Sequence, residues 1–367
     1  MGAFLKRFSR QLLACCCLLA SAAPALAASE ILSAAEDLKP GEDGLPPPLE
    51  KPLHVTVCFF DFQGKNGDFY SQAKDLALIA QRWNVYADLK VFTDERVTAE
   101  NFKVGQCDAA GISTLRARQF NPFVGSLDAI GAILSYQQLT EAINFLAKPE
   151  MGAYMVNQDV EIVGIVPLGA AYVMVNDRRI NTLAKAAGRK VAVLDFDKSQ
   201  ATMVQKIGAQ PVSVDLTSIG GKFNNGQVDI LALPALAFEP LELYRGMTDD
   251  KGNARGAIFK FPLLQVTGVM MMHRGKFPDG IGQLVREFTA MQLAPAYQFI
   301  LETESAIPVK YWMDIPESDK PGYVNMLRNA RLAVTKDGFY DPRMMQLLKK
   351  IRCKLEPGNY ECSLNDE

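Results

Sequence analysis

The sequence predicts an α/β fold of two lobes, each built on a parallel sheet, followed by a helical C-terminal region. Three observations carry this. The stretch Phe102-Lys-Val-Gly105-Gln106-Cys-Asp108 returns as Phe223-Asn-Asn-Gly226-Gln227-Val-Asp229. Both copies sit in one order of elements: an apolar strand ending in Asp-Phe (Asp61-Phe62, then Asp195-Phe196), a helix, a strand, a short helix and a strand. Alternation of strands and helices at this length builds parallel sheets through right-handed crossovers. Two copies in one chain imply two similar lobes with a ligand cleft between them.

Leu53 to Phe62 is apolar and rich in β-branched and aromatic residues, hence a buried strand. The Asp61–Asp68 loop leads to a helix that Asp68 is expected to cap, with Phe69, Ala73, Leu76, Ala80 and Trp83 as its apolar stripe. Tyr86–Phe92 alternates as a strand, Thr98 opens a short helix that Gly105 ends, and Cys107–Ile112 is the third strand. Residues 121–148 read as mainly helical, and Ile162–Asn176 as an apolar segment crossing to the second lobe. There Lys190–Phe196, Pro211–Asp215 and Val228–Leu233 are strands, with helices at Ser199–Ile207 and Thr217–Asn225. Phe259–Met272 crosses back. Ile281–Thr303 is a helix kinked or split by Pro295, and further helices run from Pro316 to Cys353. The expected organisation is a signal peptide at 1–27 and a disordered tether at 28–52. Lobe 1 comprises 53–165 with part of 268–352, including linking helices; lobe 2 is 171–265, and a tail follows at 353–367.

Lys6, Arg7 and Arg10 precede the apolar run Leu12–Ala20, and Ala25-Leu26-Ala27 satisfies the small-x-small cleavage rule. Lipidation at Cys15 is a competing reading with too few apolar residues before it. The chain carries 39 bases and 41 acids. Cleavage near Ala27 removes three bases and no acid, and the resulting acidic balance argues against nucleic acid and anionic membranes. Four cysteines remain after cleavage. Cys353 and Cys362 bracket a Pro357-Gly358 turn and are the best disulfide candidates, worth roughly 2–3 kcal/mol in the chain-entropy model. Cys58 and Cys107 fall on neighbouring strands, where a bridge and two buried thiols are both open. No Cys-x-x-Cys or His spacing suggests a metal, and no cofactor is expected.

At Lys190-Val-Ala-Val193, Gly208-Ala-Gln-Pro-Val212 and Gly226-Gln-Val-Asp229 the chain resembles TRAP-type (DctP-like) periplasmic solute-binding receptors. Thr93-Asp-Glu-Arg-Val97, Leu115-Arg-Ala-Arg-Gln-Phe120, Gly125-Ser-Leu-Asp128, Val175-Asn-Asp-Arg178, Pro240-Leu-Glu-Leu-Tyr244 and Tyr311-Trp312 are similar to AdeT-type solute-binding proteins. The resemblance implies a type II-like periplasmic-binding-protein fold with a long linking helix. It also implies delivery of a small solute, in TRAP receptors mostly an organic acid, to membrane transporter subunits. The AdeT-type resemblance implies, as an alternative, an accessory role in RND-type efflux linked to aminoglycoside resistance. One position departs. TRAP receptors carry a carboxylate-clamping Arg two residues after the Lys of this strand, and Ala192 stands there. A methyl group cannot make the bidentate bonds of such a clamp.

Ligands of open parallel sheets bind beyond the carboxyl ends of the strands. This selects Asp61, Phe62 and Asp68 after the first strand, and Ser113, Thr114, Arg116 and Arg118 after the third. It also selects Asp195 and Asp197 in the second lobe, and Pro234. Tyr172 and Asn176 of the crossing segment are candidates for the cleft floor. Asp61 facing Asp195 would favour an amine or other cation over a carboxylate, although an Asp after a strand is as readily a cap or turn former. Arg116 and Arg118 have an equally plain reading as interdomain ion-pair residues. No nucleophile elbow or phosphate loop is present, so an enzyme is not expected, and nor is an oligomer.

Overall fold

The computed structural model describes residues 39–42 and 45–367. The expected signal segment and residues 28–38, 43 and 44 of the expected tether lie outside the described residues. Strands are β1 (Leu53–Phe60), β2 (Val85–Phe92), β3 (Ala109–Ser113), β4 (Val156–Asn157), β5 (Val160–Val175), β6 (Lys190–Leu194), β7 (Gln210–Val214), β8 (Ile230–Pro234), β9 (Ala257–His273) and β10 (Trp312–Met313). Helices of six or more residues are α1 (Asp68–Ala80), α2 (Glu95–Lys103), α3 (Tyr136–Leu146), α4 (Lys198–Lys206), α5 (Ile219–Asn224), α6 (Ile281–Met291), α7 (Leu293–Ala306), α8 (Lys320–Lys336) and α9 (Pro342–Leu355).

The strands form one sheet in the order β2-β1-β3-β9-β5-β8-β6-β7, with β10 on β9 and β4 on β5. The two lobes share a plan. β1 lies between β2 and β3, parallel to both, as β6 lies between β7 and β8. The crossing segments are the long strands β5 and β9, paired antiparallel from Val160 opposite His273 to Val175 opposite Ala257. β9 continues the first lobe by pairing β3, and β5 the second by pairing β8. Four register breaks interrupt the ladder between Ile162 and Met174, one at Pro167/Gly169, where Gly169 takes φ +100°. Bulges of this kind bend and twist a strand pair where it turns from one lobe to the other.

The repeated heptad has the same physical use in both lobes. Phe102 and Phe223 are fully buried. Gly105 and Gly226 take positive φ and end α2 and α5, and the next N–H reaches back five residues, Gln106 to Asn101 O and Gln227 to Lys222 O. This is the Schellman stop that favours glycine. The final Asp then clasps the first strand of its lobe. Asp108 accepts the Thr56 N–H at 2.8 Å and donates its own N–H to Thr56 O, as Asp229 does with Lys190 at 3.0 Å.

Several boundaries differ from expectation. α2 starts at Glu95 because Asp94 caps it through the Arg96 N–H at 2.8 Å, leaving Thr98 buried mid-helix. Residues 127–135 are not helical, and α3 begins only after the Ser135 cap. The 281–306 segment is split at Gln292, which places Pro295 in the first turn of α7, where a missing N–H does no harm. Residues 45–52 of the expected tether are held down: Trp83 Nε1 donates to Pro46 O at 2.9 Å and Asn84 Nδ2 to Leu49 O at 3.0 Å. Among the described residues no helix is long and apolar enough to cross a membrane.

Both disulfides form, Cys58–Cys107 between β1 and the approach to β3, and Cys353–Cys362 across the tail. The tail carries a buried ion network. Arg331, fully buried on α8, donates to Glu361 and Glu367 at 2.6 Å each, and Arg352 of α9 donates to Glu361 at 3.0 Å. The bridges close loops of very different length, with sequence separations of 49 and 9. Replacing both cysteines of a pair by serine should therefore cost about 4 kcal/mol for Cys58–Cys107 and about 2–3 kcal/mol for Cys353–Cys362. Urea unfolding of the two variants checks the order, and equal midpoints would contradict it.

Candidate functional site

A cavity of about 1030 Å³ opens where the strand ends of the two lobes meet. Phe60–Phe62 at the end of β1, Ser113 at the end of β3, Leu194 at the end of β6 and Leu233–Pro234 at the end of β8 all line it. This is the topological position at which open α/β sheets bind ligands. Four helices give it apolar residues. α1 contributes Phe69, Ala73 and Leu76, α4 contributes Met203 and Val204, and the split helix α6–α7 contributes Phe288, Ala296 and Phe299. α1 buries no residue, so its stripe faces the cavity instead of a core.

The cavity's charge is one-sided. Among the described lining residues are five carboxylates, Asp61, Asp68, Glu95, Glu239 and Glu302, and no Lys, Arg or His. Asp61 is buried and occupied locally. Its Oδ1 accepts the Gln63 N–H at 2.9 Å and its Oδ2 the Tyr70 N–H at 3.2 Å, and a Cβ at Gly67 would fall 1.9 Å from Oδ1. It thus caps the start of α1. Asp68, expected as that cap, is instead the first helical residue, preceded by Gly67, and is exposed. Glu95 is buried and bonded to Arg116 Nε at 3.0 Å and the Ser113 N–H at 2.6 Å.

Asp195, the counterpart of Asp61 by sequence, is exposed and does not line the cavity. Arg116 and Arg118 do not line it either. They join the lobes. Arg116 lies 3.8 Å over the Phe196 ring, and Arg118 pairs with buried Asp197 at 3.7 Å and covers the rings of Phe339 and Tyr340. Asp197 also caps α4 by accepting the Ser199 N–H at 3.0 Å. Phe196 is therefore a platform for an arginine, whereas Phe62 lines the cavity and packs with the second lobe's core. Tyr172 donates to Glu304 at 3.0 Å and meets Trp312 edge-on outside the lining, and Asn176 is tied to Val228 O at 3.3 Å. Thr114 is fully buried, its hydroxyl 2.7 Å from that of Thr267.

The family described as solute-binding protein AdeT 1/2 matches residues 77–367. The chain belongs to that family. It is 48% identical over 308 residues to the probable solute-binding protein AdeT1 of Acinetobacter baumannii, covering 84% of this chain and 100% of the relative. It is 26% identical over 242 residues to the probable solute-binding protein AdeT2 of the same organism, covering 66% of this chain and 100% of that one. Its fold matches TRAP periplasmic solute-binding proteins. One is from Desulfovibrio salexigens with bound orotic acid, at TM-score 0.68 and 12% identity over 82% of this chain and 99% of that one. Another is from Rhodoferax ferrireducens with bound malonate, at TM-score 0.65 and 15% identity over 83% and 99%.

In this family member Ala192 lines the cavity, so the position of the expected clamp is within the site and carries a methyl group. Sequence reasoning missed Glu302 and the cavity-facing stripe of α1. Helical spacing marks a stripe as apolar but cannot say whether it meets a core or a cavity. Nor does sequence show that Glu302 Oε2 is buried without a hydrogen-bond partner while Oε1 accepts from Gln298 at 2.8 Å.

Close to the Arg118–Asp197 contact, Asp128 is fully buried and burial raises its pKa to about 7, against the opposing pull of the Thr267 hydrogen bonds and Arg118. The Thr267 N–H donates to Oδ2 at 2.9 Å, and the Thr267 hydroxyl is 2.6 Å from Oδ1. An acid whose folded pKa is raised binds its proton more tightly when folded, so it opposes folding as it ionises. Stability should fall as pH rises from about 4 to about 7 and then level off. Urea midpoints across that range measure it, and Asp128→Asn should flatten this component. An equal slope in the variant would remove Asp128 as its source.

Proposed function

We propose that the protein is a periplasmic receptor, exported with cleavage near Ala27, that closes two lobes on a small solute for a TRAP-like membrane transporter and performs no chemistry on it. The cavity at the facing strand ends is the observation that carries this reading. The lobes are taken as 53–165 with part of 268–352, and 171–265, joined by β5 and β9. Hinge closure around a ligand is the motion such a clamshell uses.

The cargo is read as an amine or other cation in preference to a carboxylate. The neighbouring structures hold orotic acid and malonate. Here Ala192 supplies no clamp, Arg116 and Arg118 are engaged between the lobes, and among the described residues the lining holds carboxylates without a base. A carboxylate entering this cavity would meet like charge and no donor fork.

Thermal denaturation with a panel of amines, amino acids and organic acids tests the receptor reading. A true cargo at a hundredfold excess over its Kd should stabilise the folded state by about 2.7 kcal/mol. A panel that leaves the melting temperature unmoved counts against it. Lobe closure has its own test. Asp197→Asn leaves Arg118 without its ion partner, and small-angle scattering of the solute-free protein should then show a larger radius of gyration. An unchanged radius would remove the Arg118–Asp197 pair as a latch.

A further inference from the structure

We infer that the cargo is a lipophilic amine, its apolar body held against the helix stripes and its ammonium received by Glu302. The inference rests on the receptor reading and specifies its ligand. Two independent observations carry it. The first is the wall. Phe69 and Leu76 of α1 are each 37% exposed on the cavity side of a helix that buries nothing, and Phe288 and Phe299 line the cavity from the split helix while only half-buried. Large apolar side chains left open to water gain free energy when an apolar solute covers them. A cavity of about 1030 Å³ lies at the upper end of small-molecule sites and admits a long-chain or polycyclic body.

The second is the state of the carboxylates. Asp61 and Glu95 are already bonded within the protein, and Asp68 and Glu239 are exposed to water. Glu302 differs from all four. It is half-buried on α7, it has no cationic partner among the described residues, and its Oε2 is buried with nothing to accept from. A buried acceptor of this kind is unfavourable until a donor arrives, and a charged donor relieves it best. Among the described residues the hydrogen bond that its carboxylate makes is the one accepted by Oε1 from the Gln298 amide, so Oε2 is the oxygen left without a donor. Polar groups few in number within an apolar cavity fix the orientation of the solute, here with the amine at α7.

Displacement of the neutral fluorophore N-phenyl-1-naphthylamine from the full chain tests this, using decylamine, decanol and decanoate below their micellar concentrations. The fluorophore should bind. Decylamine should displace it at a concentration at least tenfold lower than decanol, and decanoate should be weakest. Glu302→Gln should raise the decylamine requirement about tenfold and leave decanol unchanged, the unchanged alcohol showing that the cavity is still formed. Equal affinity for decanoate and decylamine, or an unaltered amine in Glu302→Gln, overturns the inference. If hydrophilic solutes raise the melting temperature while the fluorophore stays unbound, the lipophilic cargo is wrong and the receptor stands. If neither class binds, both readings fall.

Discussion

The antiparallel ladder of β5 and β9 is the constraint on which the rest of the structure depends. Each strand is long enough to belong to both lobes, so one hydrogen-bonded sheet runs through the molecule. The lobes are consequently not two beads on a linker. Their strand ends meet at the cavity, and the ladder between them is broken in register at Pro167/Gly169 and beside Tyr172, irregularities of the kind that bend a strand pair.

The fold was largely legible in the sequence because its physics is local. Gly105/Gly226 and Asp108/Asp229 each do one job at the end of their own helix or against the neighbouring strand, so the repeat in letters is a repeat in structure. The candidate site was less legible. Asp61 and Asp195 match in sequence, yet one turns into the start of α1 and the other into water, because Gly67 lets α1 approach Asp61 closely. Sequence order reports which strand end a residue follows. It does not report which N–H will be within reach of its side chain.

Arg116 and Arg118 show the same limit in a more consequential form. By position they follow β3, where a cleft ligand and an interdomain ion pair read alike. In space each meets a second-lobe residue, Phe196 or Asp197, and Glu95 neutralises Arg116 within its own lobe. Guanidinium groups held this way stabilise one arrangement of the lobes and are withdrawn from recognition. Among the described residues the cavity lining holds no base, and the two arginines that follow β3, Arg116 buried and Arg118 partly buried, are spent on contacts beside it.

The cavity-facing stripe of α1 has a bearing on delivery. A solute that prefers such walls to water will not readily diffuse free through the aqueous compartment once released. On the proposed reading, transfer to a membrane transporter would favour a docked encounter, in which the passenger moves from one oily lining to the next without being wetted.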